Sequence, residues 1–364
     1  MVYRTSNMEK VRDFRMNRPL VFWQPILSVH QTPLLEKVAI DWPNDVFLVV
    51  DEKNPEHRIR ESGWDIKPPK GVTVTEDGKS VPANAVHIVS GLWGPAVWRK
   101  NRRRVLTNAS SSVWIMSEPL ATWDNKLKVS FRFTRQGIAY LMLRKRLAGF
   151  LSIGDHAATQ ARLLGIPREK IFPFCYVTKS PANYSEPKRK TSSQMQALFV
   201  GEISLRKGAD LLFSTELDPL VKLQVIGSNA RNEVSIPETV EFLGVIPNDN
   251  VPSQLMEADV LVLPSRHDGW GAVINEALAV GTPVVCTRNC GGSTLVQGHT
   301  PYRGEVIEQL STKSLKEALD KVRKAKPQRK SIQDWAERSI SPDVVSNYLV
   351  TILSGQTMPA PWQG

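Results

Sequence analysis

The sequence predicts an α/β protein made of two Rossmann-like, doubly wound domains. Apolar runs of strand length alternate with amphipathic runs of helix length along most of the chain, the rhythm of a parallel sheet wrapped by helices. A polar stretch at residues 178–194, with two prolines, interrupts that rhythm as a linker does, and the pattern then restarts. A chain of 364 residues is also long enough for two domains of ordinary size, each with its own core.

In the first half, residues 20–28 read as the opening strand. Pro33 suits the first turn of a helix running to about residue 40. A strand at 45–50 and a helix at 54–63, closed by glycine, follow. Short strands at 72–75 and 85–89 come next, then a helix whose end carries the basic run 99–104. The strand 113–118 delivers Ser117 and Glu118 at its C-terminal end, the edge where parallel sheets bind ligands. Glu118 reads equally as a solvated loop carboxylate before Pro119. Strands at 150–154 and 170–176 flank a helix at 155–164.

Residues 126–149 predict a basic amphipathic helix, since Lys126, Lys128, Arg132, Arg135, Arg144, Lys145 and Arg146 occur there without an acid. Such a helix either lies on an anionic membrane or packs on the core with a solvated basic face. In the second half, strands at 196–201, 222–227, 240–246, 260–263 and 283–286 alternate with helices near 204–215, 250–258 and 272–280. A glycine loop at 291–293 and helices at 315–324, 333–338 and 342–353 close the chain, the last with Ser341 as N-cap.

Composition narrows the function classes. The 41% hydrophobic and 23% charged content is that of a globular protein. The polar start and the lack of a long apolar run give neither a signal peptide nor a spanning helix, so a cytoplasmic location is expected. Cys175, Cys286 and Cys290 are too few for a disulfide framework or a four-ligand zinc site, and are expected as buried thiols. The formal net charge of +11 calls for an anionic partner: a phosphorylated substrate, an acidic membrane or nucleic acid. His156, His267 and His299 lack ligand spacing and read as structural. Trp93, Trp98, Trp114 and Trp123 read by default as core.

The chemistry gathers at strand ends of the second half. Gly201 and the Arg206-Lys207-Gly208 turn follow its first strand. Asp268, Gly269, Trp270, Gly271 and Glu276 follow the strand at 260–263. An arginine fork beside a lysine point charge suits a diphosphate, backbone amides before a helix suit an anion, and a carboxylate suits a ribose diol.

These residues resemble the donor domain of retaining glycosyltransferase family 4, of GT-B fold. Val200-Gly201 to Arg206-Lys207-Gly208 is similar to that family's glycine and Lys-Gly turn, and Phe242-Leu243-Gly244 to its nucleobase-flanking strand. Asp268-Gly269-Trp270-Gly271 to Glu276-Ala277, then Gly281-Thr282-Pro283, is similar to its Glu-x7-Glu signature. Residues 197–296 carry the match. Ile153-Gly154 to Gly165-Ile166-Pro167 resembles the stretch leading to the interdomain linker.

The resemblance implies two Rossmann-like domains facing a cleft: an acceptor domain over 1–180, a nucleotide-sugar domain over 195–335, and a final helix returning to the first domain. It implies a retaining, metal-independent transfer with no cofactor beyond the nucleotide diphosphate sugar, to a glycan or lipid-linked acceptor such as a lipopolysaccharide or capsular polysaccharide. No Asp-x-Asp loop stands ready to hold a divalent ion. By the same resemblance Arg206 and Lys207 hold the diphosphate, and the amides of Gly269, Trp270 and Gly271 contact phosphate or sugar. Glu276 binds the ribose, Gly244 and Val245 flank the base, and Asp268, one methylene shorter than the family's glutamate, faces the transferred sugar. Glu202 departs from an arginine common in the family. Glu118 stands where a histidine is common, which makes it a candidate sugar or acceptor contact. The membrane expectation for 126–149 adds peripheral association with the inner face of the cytoplasmic membrane.

A sugar-nucleotide epimerase or a phosphorylase on the same plan is the enzymatic rival. An epimerase needs no acceptor, and a phosphorylase needs inorganic phosphate. A non-catalytic polyanion-binding protein would bind nucleic acid with steep salt dependence, but the sequence holds no nucleic-acid motif, so none is expected as partner.

Overall fold

A computed structural model describes residues 17–52, 67–121, 126–179, 193–298 and 300–363. The first sheet comprises β1 (Leu20–Ile26), β2 (Val46–Glu52), β3 (Val72–Thr75), β4 (Val86–Ser90), β5 (Ser112–Ser117), β6 (Leu147–Ile153) and β7 (Ile171–Phe174). Its helices are α1 (Thr32–Asp41), α2 (Ala96–Thr107), α3 (Lys126–Leu143) and α4 (Asp155–Leu163). All strands pair in parallel in the order β3-β2-β1-β4-β5-β6-β7. The strands β1, β5 and β6 are buried almost throughout, as strands covered on both faces must be.

The second sheet comprises β8 (Met195–Val200), β9 (Val221–Ile226), β10 (Glu241–Gly244), β11 (Val260–Leu263), β12 (Val284–Thr287) and β13 (Gly304–Ile307). Its order is β10-β9-β8-β11-β12-β13, again all parallel. Helices α5 (Ala209–Ser214), α6 (Val251–Glu257), α7 (Val273–Ala279) and α8 (Ser293–Val296) connect these strands. Then come α9 (Thr312–Ala325), α10 (Arg329–Ile340) and α11 (Pro342–Leu353). The two-sheet α/β architecture is the expected one.

Three local readings need correction. The basic helix stops at Leu143, and residues 147–149 belong to β6. Gly149 is needed there because a side chain would lie 2.2 Å from the Trp114 ring. The edge strand β13 escaped the sequence reading, since Gly304 and Glu305 dilute a four-residue run. Residues 204–208 are not helical: α5 begins only at Ala209, after a turn that ends on Gly208 with φ +72°. The helix expected at 54–63, together with His299, Trp123 and most of the 178–194 stretch, lies outside the described residues.

The chain end ties the sheets together. Arg329 on α10 donates to the Ala258 carbonyl at 2.7 Å and to Thr282 Oγ1 at 2.6 Å in the second domain. Helix α11 then packs on α1 of the first, with Lys37 Nζ 2.5 Å from Asp343, Ser346 donating to Asp41 at 2.5 Å, and Tyr348 Oη donating to the Pro173 carbonyl at 3.0 Å. One apolar cluster accordingly runs from Phe22, Trp114 and Phe174 through Tyr348 to Leu261, Trp270 and Ile274.

Candidate functional site

The site assembles where β8 and β11 lie side by side. Their following connections leave to opposite faces of the sheet, which opens a crevice at their C-terminal ends. Gly201 ends β8, and the turn 204–208 folds back so tightly that a side chain on Gly208 would lie 1.9 Å from the Pro264 carbonyl oxygen. That turn is locked to the loop after β11. Arg206 accepts at its carbonyl from Arg266 N at 2.9 Å, and Arg266 makes a forked pair with Asp210 at 2.6 and 2.7 Å. The Arg266 guanidinium beside Asp210 holds that carboxyl below its ordinary range.

Lys207 Nζ lies 2.5 Å from Asp268 Oδ2. Arg206 donates to the His267 carbonyl at 3.2 Å and lies 3.5 Å from Glu202, which also pairs with Arg231 at 3.0 Å. The expected diphosphate cations therefore share one crevice with Asp268, each already beside a carboxylate. Glu202 serves as counter-ion to two arginines.

Gly269, Trp270 and Gly271 pass over the crevice on a support that sequence reading did not explain. Asp268 N donates to the Asn289 carbonyl at 3.1 Å, and Gly291 and Gly292 donate to the carbonyls of Asp268 and Trp270 at 3.2 and 2.8 Å. The glycine loop can come this close because a side chain at Gly291 would sit 2.2 Å from the Gly269 carbonyl oxygen. Among the described residues, the amides of Gly269, Trp270 and Gly271 turn to no protein acceptor. The Trp270 ring is core: it is 2% exposed, donates to Asn275 Oδ1 at 2.6 Å and meets Tyr176 edge-on with centroids 6.1 Å apart.

Glu276 lies in the first turn of α7. Burial pushes its carboxyl up to about 7. His30, from the loop after β1, approaches to 4.0 Å, and burial pulls its pKa down to about 4. Both shifts oppose charge, so the contact is a neutral imidazole against a carboxyl and not an ion pair. The two residues share the wall of an interdomain cavity with Glu36 and Lys67 of the first domain, Lys179, and Asn248 and Asp249 of the second. Val245, just past β10, is 48% exposed, and Gly244 accepts from Gly227 N at 2.9 Å.

Glu118 crosses from the first domain to this loop. It follows β5, and its carboxylate presses on Gly269 so closely that a side chain there would come within 1.9 Å of Oε2. Tyr176 Oη donates to Oε1 at 2.9 Å, and Asn275 Nδ2 donates to the Tyr176 carbonyl at 2.7 Å. The carboxylate is open to the cleft yet walled by both domains, and this enclosure raises its pKa, with the Tyr176 hydrogen bond opposing. Tyr176 and Asn275 are site residues that sequence reading missed: neither lies in a motif, and only the fold joins them to Glu118. His156 and the three cysteines fall outside this constellation. His156 bonds the Arg288 carbonyl at 3.2 Å, and the thiols are buried.

Residues 182–339 match the family model described as glycosyl transferases group 1. An uncharacterized glycosyltransferase of Methanocaldococcus jannaschii is 32% identical over 133 residues, covering 34% of this chain and 36% of that protein. The chain thus spans about a third of the length of the curated relatives it matches. The crystal structure of Anabaena HepE in complex with UDP-glucose superposes with TM-score 0.67 at 12% identity, over 93% of this chain and 100% of that one. The lipopolysaccharide outer core galactosyltransferase WaaB, in its apo form, superposes with TM-score 0.65 at 15% identity, over 93% and 99%. At these identities the likeness is one of fold, the two-domain GT-B arrangement.

Proposed function

We propose that the protein transfers a sugar from a nucleotide diphosphate sugar to a glycan or lipid-linked acceptor, a reading supported by the match of residues 182–339 to the family model described as glycosyl transferases group 1. The observation that carries this reading is the convergence of Arg206, Lys207, the amides of Gly269 to Gly271 and Glu276 at the ends of β8 and β11. The UDP-glucose complex of HepE, alike in fold, supports a nucleotide sugar as donor, and WaaB supports a surface-glycan acceptor.

In this reading Glu276 accepts from the ribose hydroxyls. Lys207 and Arg206, with the three amides, offset the charge that grows on the leaving diphosphate, the kind of preorganised stabilisation that carries most of a catalytic effect. Lys207 must then divide itself between phosphate and Asp268. The acceptor hydroxyl attacks from the leaving-group face, its proton passing to a donor phosphate oxygen, so configuration is retained without an essential divalent ion. An epimerase would leave the acceptor half of the cleft without a task.

The acceptor reaches the site from a membrane face, a reading that rests on α3. Phe131, Ile138, Leu141 and Met142 are 68, 47, 59 and 48% exposed along one side of this helix. Among the described residues no carboxylate pairs with Lys128, Arg135, Arg144 or Lys145 around them, or with Arg99 and Arg103 on α2. Trp93 lies between the two helices, its ring centroid 5.8 Å from the Arg102 guanidinium and 5.4 Å from that of Arg135. Apolar side chains rimmed by cations suit an anionic bilayer, and the protein is proposed to work as a peripheral enzyme on its cytoplasmic side.

Glu276→Ala is expected to lower transfer by about a hundredfold or more, as loss of a charged hydrogen-bonding anchor does, while circular dichroism and melting show a retained fold. Full activity in a folded Glu276→Ala protein would remove the assignment.

A further inference from the structure

The carboxylates of Glu118 and Asp268 approach one loop from opposite domains, Glu118 at Gly269 and Asp268 at Gly271, where a side chain would lie 3.5 Å from Asp268 Oδ2, and the two carboxylates act on each other electrostatically. Glu118 touches Gly269 from the first domain, and Asp268 precedes it in the second. Each carboxylate is fixed in place: Glu118 by Tyr176 Oη at 2.9 Å, Asp268 by Lys207 Nζ at 2.5 Å. Tyr176 is held in turn by Asn275, one residue before Glu276, so Glu118 is referenced to the same helix that carries the proposed ribose anchor. The amides that turn to no protein acceptor lie in the same loop. A glycosyl group attached to a diphosphate held there would enter between these two carboxylates.

We propose that Glu118, together with Asp268, restricts the donor to an uncharged sugar and makes this enzyme discriminate against hexuronates. The inference rests on the glycosyl-transfer reading above and names its substrate class. Carboxylates accept hydrogen bonds and donate none when ionised, so they match sugar hydroxyls, which can donate. A uronate would bring a third carboxylate beside these two, and like charges at close range repel. The two nearby cations are committed. Lys207 is against Asp268, and Arg206 lies between Glu202 and the His267 carbonyl. Both are also the groups that the donor diphosphate needs, so among the described residues neither stands ready for a uronate. Glu118 is a specificity-determining residue here: neither a base nor a nucleophile is required of it.

The test measures release of nucleoside diphosphate from matched donors that differ only at C6, UDP-glucose against UDP-glucuronate and GDP-mannose against GDP-mannuronate, with wild type, Glu118→Gln and Asp268→Asn. Glutamine keeps the shape and the Tyr176 contact, and melting curves check the fold of each variant. The wild type is expected to prefer the neutral donor by at least a hundredfold in kcat/KM. Glu118→Gln should narrow that ratio tenfold or more, mainly by raising turnover of the uronate, and Asp268→Asn should narrow it as well. A wild-type preference for the uronate, or a ratio unmoved in both folded variants, overturns the inference while leaving glycosyl transfer standing. If neither these pairs nor the ADP- and dTDP-sugars are turned over, the transfer reading falls and the inference with it.

Discussion

Glu276 pays for its position in the cleft wall with a raised pKa, and this makes its role measurable even without a donor. Burial moves the carboxyl from its ordinary 4.5 to about 7, and the neighbouring His30 imidazole is kept neutral by the same enclosure. Below pH 4.5 folded and unfolded chains both hold the proton. Between 4.5 and 7 the unfolded chain releases it first, so folding loses stability as pH rises. Above 7 the loss is complete, at about 3 kcal/mol. Glu276→Gln should therefore match the wild type below pH 4.5 and exceed it by up to that amount at pH 8, read from denaturant midpoints. A stability difference that does not change with pH would speak against the buried carboxyl. The identities of Arg206, Lys207, Asp268, Glu118 and Glu276 were legible in the sequence because each follows a strand end. Their pairings were not. Lys207 and Asp268 stand 61 residues apart, Arg266 and Asp210 56, and Tyr176 and Glu118 58, and nothing local in a sequence ties such partners together.

At the scale of elements, period and punctuation told strand from helix where runs were long or apolar. They failed where a few residues decided the outcome. The Arg206-Lys207-Gly208 turn reads as a helix start because it precedes apolar residues, but the left-handed Gly208 delays α5 to Ala209. Edge strand β13 needs its neighbour β12 to exist at all, since four residues with a glycine and a glutamate carry little intrinsic strand signal. Helix α3 was legible as basic and amphipathic, and the fold adds that its exposed side is the apolar one. Phe131→Asp combined with Leu141→Asp should abolish co-sedimentation with phosphatidylcholine–phosphatidylglycerol vesicles and leave melting unchanged, since both side chains already face solvent. Wild type should bind pure phosphatidylcholine vesicles at least tenfold more weakly, given on the order of 1 kcal/mol for each basic residue near an anionic surface. Equal binding of wild type and double variant to anionic vesicles would dismiss α3 as the docking face.

The whole molecule makes one arrangement of these parts: two parallel sheets whose C-terminal edges face each other, with α11 from the second half packed on α1 of the first. The restart of the α/β rhythm after residue 194 made two domains legible. The contact of Glu118 with Gly269 was not, because it depends on how closely the domains approach and no sequence pattern encodes that distance. The crevice between β8 and β11 is proposed to hold a nucleotide diphosphate sugar. Thermal melting with a panel of UDP-, GDP-, ADP- and dTDP-sugars tests it most directly, since a ligand at a hundred times its Kd adds about 2.7 kcal/mol to stability. One nucleotide base should raise the melting temperature of wild type in proportion to the logarithm of its concentration, and Glu276→Ala should lose that rise. No shift with any of the four at millimolar concentration, or an undiminished shift in the Glu276→Ala protein, would contradict it.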